Sequence, residues 1–183
     1  MNTSYLIIVL KKAHKIEKNR EVFMKHVQSN YNIAWFKLAE CVSRGEKERA
    51  LGVYRLLSHS IGDAAFVLQL EGDLLLAFDD KEQAIEKYRT AIQTYQQDNR
   101  WLEAAGVYEH IISIEPHKYE HHINILYPYD QLKIQKKIHA HIERAMDLLS
   151  KECNDLLLQQ GLAQIQALND AYYQYAYAYL KNS

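Results

Sequence analysis

The spacing of apolar residues between chain breakers most narrows what this chain can fold into. Breakers at Asn30 to Asn32, Gly45, Ser58 to Asp63, Asp79-Asp80, Asp98-Asn99, Pro116 and Pro128 separate stretches of mostly about 10 to 18 residues. Inside them apolar residues recur at intervals of 3 and 4, as in Leu6, Val9, Leu10, Ala13, Ile16 and again in Ala84, Ile85, Tyr88, Ala91, Ile92, Tyr95. That interval gathers side chains on one face of a helix and is foreign to a strand. It predicts helices over 3–28, 32–44, 47–58, 63–78, 81–97, 100–114, 118–126, 130–149 and 152–181. With 6 Gly and 2 Pro in 183 residues, the chain also lacks the turn formers that a sandwich or barrel consumes. Helices joined by only a few residues must pack antiparallel on their neighbours, so the expected fold is all-α, a row of helical hairpins.

Composition removes several classes of function. An apolar share of 48% and a charged share of 25% fit a chain with its own core. A net charge of −1 supplies no global basic field, so no nucleic-acid partner is expected. No apolar run approaches the about 18 residues of a membrane span. The run Tyr5 to Leu10 is followed, not preceded, by Lys11 and Lys12, the reverse of a secretory signal. Cys41 and Cys153 form no metal spacing and read as reduced thiols. The expectation is a cytoplasmic protein without a cofactor.

A row of hairpins invites a search for a repeat. Leu68, Gly72, Ala84, Tyr88 and Ala91 stand in the order large, small, then small, aromatic, small. Trp35, Leu38, Ala39, Ala50 and Tyr54 give a second copy over 33–63, one residue short between Leu38 and Gly45. On these residues the chain resembles the tetratricopeptide repeat (TPR) over roughly 33–116. Ala104, Tyr108 and Pro116 are similar to a further second helix, yet Ala104 follows Ala84 by 20 residues instead of about 34. The resemblance implies a TPR-like right-handed superhelix: an N-terminal helical segment over 1–31, hairpins over 32–127, and C-terminal helices over 128–183 ending in a long capping helix, all one domain. It implies a concave groove lined by each hairpin's first helix, here Phe36 and Glu40, then Phe66, Gln69, Asp73 and Leu76. Phe66 and Leu76 suit an apolar anchor, and Glu40 and Asp73 a basic or hydrogen-bond-donating one. The family's subset that clamps a C-terminal carboxylate uses Lys and Asn where this chain has Phe36 and Glu40, so that subset is disfavoured.

Other groupings carry weaker chemistry. Six of the nine histidines fall at 110, 117, 121, 122, 139 and 141. His117 and His121, four apart, would share a helix face with His122 or His139 as a third metal ligand, but no accompanying motif supports a metal, and none is expected. Residues 1–31 carry a net +4 and residues 65–98 a net −4, two segments able to attract one another. Asp79-Asp80 and Glu82 suit a turn and the first turn of a helix. No nucleophile, phosphate loop or paired carboxylate is evident, so no catalytic residue is nominated. At the C-terminus Leu158, Gly161, Ile165, Leu168, Tyr172, Tyr175 and Tyr179 form a 3,4 seam that reads as core-facing, with Tyr173 and Tyr177 beside it as a second interface. The expected function is a non-enzymatic adaptor or chaperone for a protein or peptide. The alternatives are a homo-oligomer built on the Tyr-rich C-terminal helix, including a homodimer, and a metal protein or helical enzyme using the histidines.

Overall fold

The computed structural model describes residues 25–182, with side chains from 33 onward, so most of the helix predicted over 3–28 lies outside the described residues. Ten helices follow in series: α1 (Lys25–Ser43), α2 (Lys47–Ser58), α3 (Ala64–Ala77), α4 (Lys81–Gln97), α5 (Trp101–Ile114), α6 (Tyr119–Asn124), α7 (Leu126–Gln131), α8 (Gln135–Lys151), α9 (Asp155–Leu168) and α10 (Asp170–Asn182). No strand occurs among the described residues. The helices divide into two compact units, one ending at Ala91 and the other beginning at Ile92, a boundary inside α4.

One kind of turn recurs. Gly45, Asp79, Asn99 and Lys133 adopt left-handed backbone, with φ of 71°, 65°, 56° and 57°. After each, an N–H reaches back to the carbonyl five residues earlier: Glu46 to Cys41 (2.9 Å), Asp80 to Leu75 (2.9 Å), Arg100 to Tyr95 (2.8 Å) and Ile134 to Tyr129 (3.1 Å). This closure satisfies carbonyls that a helix end leaves open and reverses the chain within two residues. Glycine takes the conformation without strain, and Asp and Asn tolerate it.

In the first unit Leu38 and Cys41 of α1, Ala50, Tyr54 and Leu57 of α2, and Leu70 and Leu74 of α3 form one core. Gly72 brings α3 against α4, since a Cβ there would lie 2.6 Å from Cε1 of Tyr88. Glu71 of α3 joins both flanking helices: it is 3.3 Å from the Tyr54 hydroxyl and 3.0 Å from Lys87 Nζ. In the second unit Ala105, Ile123, Ile125, Leu126, Tyr129, Ile138, Ile142, Ala145, Met146, Leu149, Ile165, Tyr172 and Ala176 form the core. There Gly161 of α9 admits Leu149 of α8, whose Cδ1 would be 2.5 Å from an added Cβ.

Three expectations need correction. Asn30 to Asn32 do not end a helix, because α1 runs through them; Asn costs only a fraction of a kcal/mol in a helix interior, and neither Gly nor Pro is present to break it. Pro128 lies inside α7 instead of between helices. It occupies the first turn, where a missing N–H removes no helical bond. The single long helix over 152–181 is two, divided at Asn169. Extended at φ −165°, Asn169 donates its N–H to the Ile165 carbonyl and accepts the Ala171 N–H on Oδ1 at 2.8 Å, capping one helix and starting the next.

Candidate functional site

The residues nominated for a groove separate on the first unit. Phe36 is 77% exposed, and Ile33, one turn earlier on the same helix, is 55% exposed. Glu40 is exposed one turn later and pairs with Arg44 at 2.6 Å. On α3, Phe66, Gln69 and Leu76 are half-buried. Asp73 departs from the expectation of an exposed charge, for it is only 5% exposed and accepts the Tyr88 hydroxyl at 2.6 Å. The cause is its neighbour: Gly72 lets the Tyr88 ring come close to α3, and the hydroxyl meets the next side chain. Burial raises the Asp73 carboxyl to about 7, with the Tyr88 hydrogen bond acting in the opposite direction.

The second unit holds a polar cluster where sequence reasoning placed only scattered histidines. His122 on α6 and His141 on α8 are both buried, and their Nδ1 atoms are 3.0 Å apart. Nε2 of His141 faces Oε1 of Glu109 on α5 at 3.5 Å. That oxygen also accepts the Tyr129 hydroxyl (2.7 Å) and Lys137 Nζ (2.8 Å). Tyr129 stacks on His141 with ring centroids 5.6 Å apart. Burial alone would raise the Glu109 carboxyl, but the bonds from Lys137 and Tyr129 and the neighbouring positive groups hold it below its ordinary value. Burial lowers His141, partly offset by Glu109. It lowers His122 to about 4, helped by His141, Arg144 and His121.

The metal arrangement considered for the histidines is not formed. His117 lies in the turn before α6, His121 bonds Glu115 at 2.8 Å, and His139 stacks on Tyr175 at 4.0 Å. Among the described residues no three His, Cys, Asp or Glu side chains are grouped to hold a metal ion.

The C-terminal tyrosines divide into two sets. Tyr172, Tyr175 and Tyr179 face inward, their hydroxyls on Asp130 (2.6 Å), Glu143 and Asp147 (2.9 Å) respectively. The seam is thereby used within the unit. Tyr177 is 43% exposed and stacks on the half-buried Tyr173 with centroids 6.1 Å apart, while Lys181 Nζ stands 4.6 Å over the Tyr177 ring.

Comparison with protein-family models, curated proteins and solved structures returns no match. No helix among the described residues is long and apolar enough to cross a membrane. One internal signal did point to the histidine cluster: Tyr54, Tyr88 and His122 follow one another at 34-residue intervals. Like Tyr54 and Tyr88, His122 is buried and turns its polar end to a side chain of another helix.

Proposed function

We propose that the chain is a non-enzymatic, TPR-like interaction module, cytoplasmic, that holds a protein or peptide against the outer side of α1. The repeat reading gains support from phase. Trp35, Leu68 and Trp101 stand 33 residues apart on α1, α3 and α5, and Ala39, Gly72 and Ala105 follow each by four. Since α5 follows α4 directly, Trp101 to Tyr108 takes the place of a first helix, which removes the 20-residue irregularity between Ala84 and Ala104.

The observation that carries the function is the Phe36 ring, 77% exposed beside an Ile33 that is 55% exposed. Burying two such side chains contributes about 2 kcal/mol each to whatever covers them, which is the character of an interface anchor. Glu40 supplies a polar rim, and Phe66, Gln69 and Leu76 are the remaining candidates for contact. Asp73 leaves that set, because Tyr88 uses its carboxyl. The test uses proteins recovered with the parent chain, purified and titrated against parent and Phe36→Glu. A partner bound at least tenfold more weakly by the variant, with unchanged thermal unfolding, is expected. Equal affinity for every recovered protein sinks the assignment.

A further inference from the structure

We propose that the buried His122–His141 pair is a pH-dependent latch of the second unit, holding α6 to α8 while both rings are neutral and releasing them as the rings take up protons. The 3.0 Å separation of the two Nδ1 atoms admits one hydrogen between them. Glu109 decides which ring supplies it. Its oxygen is an acceptor 3.5 Å from His141 Nε2, so that nitrogen carries the hydrogen and His141 Nδ1 is left as an acceptor. His122 therefore donates from Nδ1, and its Nε2 is bare. Nε2 of His122 is buried and has no hydrogen-bond partner among the described residues, an acceptable place for a lone pair and a costly one for an N–H.

Adding one proton breaks this arrangement. A proton on His141 puts hydrogens on both its nitrogens, so His122 must accept at Nδ1 and move its own hydrogen to the buried Nε2. A proton on His122 places one there directly. A second proton gives two donors facing each other at 3.0 Å, which cannot persist. The surroundings oppose uptake as well. From α6 His121 approaches, and from α8 Lys137 and Arg144, all three positive or able to become so. Against them stands Glu109 of α5, already shared with Lys137 and with Tyr129 of α7. The packing of α9 on α6 beside this site is apolar, through Gly161 and Ile123. The low proton affinity of both rings, His122 at about 4, agrees with this geometry.

The sign follows from linkage. A histidine depressed by folding contributes stability that is present above about pH 6.5 and lost as pH falls toward its folded value. Glu109 and Glu115, both held below the ordinary carboxylate range, protonate only at lower pH and do not obscure this window. The test is amide hydrogen exchange on the full chain from pH 7.5 to 4.5, corrected for intrinsic rates, with side-chain nitrogen NMR on the same protein. At pH 7.5 His122 should carry its hydrogen on Nδ1 and His141 on Nε2. Below pH 6.5 the open population of α6 and α8 should rise about tenfold per pH unit for each proton taken up. In His122→Phe the share of that rise due to His122 should vanish, leaving the smaller slope that His141 and the half-buried His110 of α5, both lowered by burial, supply. A flat profile in the parent, hydrogen on His122 Nε2 at pH 7.5, or a His122→Phe variant with the parent's slope each overturns the latch. The parent measurements decide the matter even where the variant does not fold.

Discussion

Replacing Gly72 by alanine sets two effects of opposite sign against each other. In a helix interior the change ordinarily stabilises by about 1 kcal/mol, because glycine loses more backbone entropy on folding. At this position the new Cβ would stand 2.6, 2.8 and 3.0 Å from Cε1, Cδ1 and Cζ of Tyr88. Carbon atoms in contact prefer about 3.5 to 4 Å, so the ring must retreat by about 1 Å. Tyr88 is fully buried and its hydroxyl is held 2.6 Å from Asp73, so there is no free direction of retreat. Overpacking costs about 1 to 3 kcal/mol, and loss of the buried hydrogen bond about as much again. The net expectation is a destabilisation of about 3 kcal/mol. Gly106→Ala is the control, since it lies in α5 with nothing within 4 Å of its added Cβ and should gain up to about 1 kcal/mol. The two tryptophans, Trp35 and Trp101, fall one in each unit. In a Trp101→Phe background, urea unfolding followed by fluorescence therefore reports the first unit, and in a Trp35→Phe background the second, where Gly106→Ala is read. A Gly72→Ala midpoint equal to or above the parent's would falsify the close approach of α3 to Tyr88.

Two further outcomes follow from the same coordinates. The Asp73 carboxyl, raised to about 7 from an ordinary 3.8, favours the folded state most below pH 3.8, and that stability is lost as pH rises through 7; the first unit should weaken by up to about 4 kcal/mol across that window, Asp73→Asn should flatten the slope, and a parent with no such slope refutes the assignment. Leu168→Ala with Tyr172→Ala should cost the second unit about 3 to 5 kcal/mol without altering its association state, while Tyr173→Ala with Tyr177→Ala should cost at least about 2 kcal/mol less, and equal losses in calorimetry would contradict the inward seam.

How much of this was legible depended on whether a local or a distant contact decided it. Helix positions were readable because period and breakers act within a turn or two, and Gly72, Ala84 and Tyr88 announced a tight hairpin through residue size alone. The errors arose where polar residues did two things at once. Asn169 interrupts a continuous 3,4 pattern because its short side chain can cap one helix while its backbone ends another, which periodicity does not register. Asp73 fell on the outward stripe with Phe66 and Leu76, and only the partner 15 residues away shows that it points inward. The pairing of His122 with His141 spans 19 residues and two helices, which residue spacing along one helix does not register. The 34-residue recurrence Tyr54, Tyr88, His122 was present in the sequence, and all three are buried.

Among the described residues, pH sensitivity near neutrality is concentrated in a few buried or half-buried groups. Inter-helix polar contacts in this chain are made largely by tyrosine hydroxyls on carboxylates: Tyr54 to Glu71, Tyr88 to Asp73, Tyr129 to Glu109, Tyr172 to Asp130, Tyr175 to Glu143 and Tyr179 to Asp147. A tyrosine spends its ring on apolar packing and its single O–H on one acceptor, so it ties two helices in a set register without placing a positive charge in the interior. Such a hydroxyl stays protonated far above neutrality. Burial raises Tyr54, Tyr129 and Tyr172, each toward a nearby carboxylate's further disfavour of the anion, and the Glu143 bond, with burial added, raises Tyr175 to about 12. These hydroxyls therefore keep their protons between pH 5 and 8, while the Tyr88–Asp73 tie changes in that range through its acceptor, the Asp73 carboxyl at about 7. His122 and His141 tie α6 to α8 through groups of another kind, imidazoles whose ordinary titration falls inside that range. The first unit responds through Asp73, which gains from acid, and the second through His122, His141 and the half-buried His110, which lose by it. Mild acidification thus shifts the two units' stabilities in opposite directions, a difference that the two tryptophans can report separately.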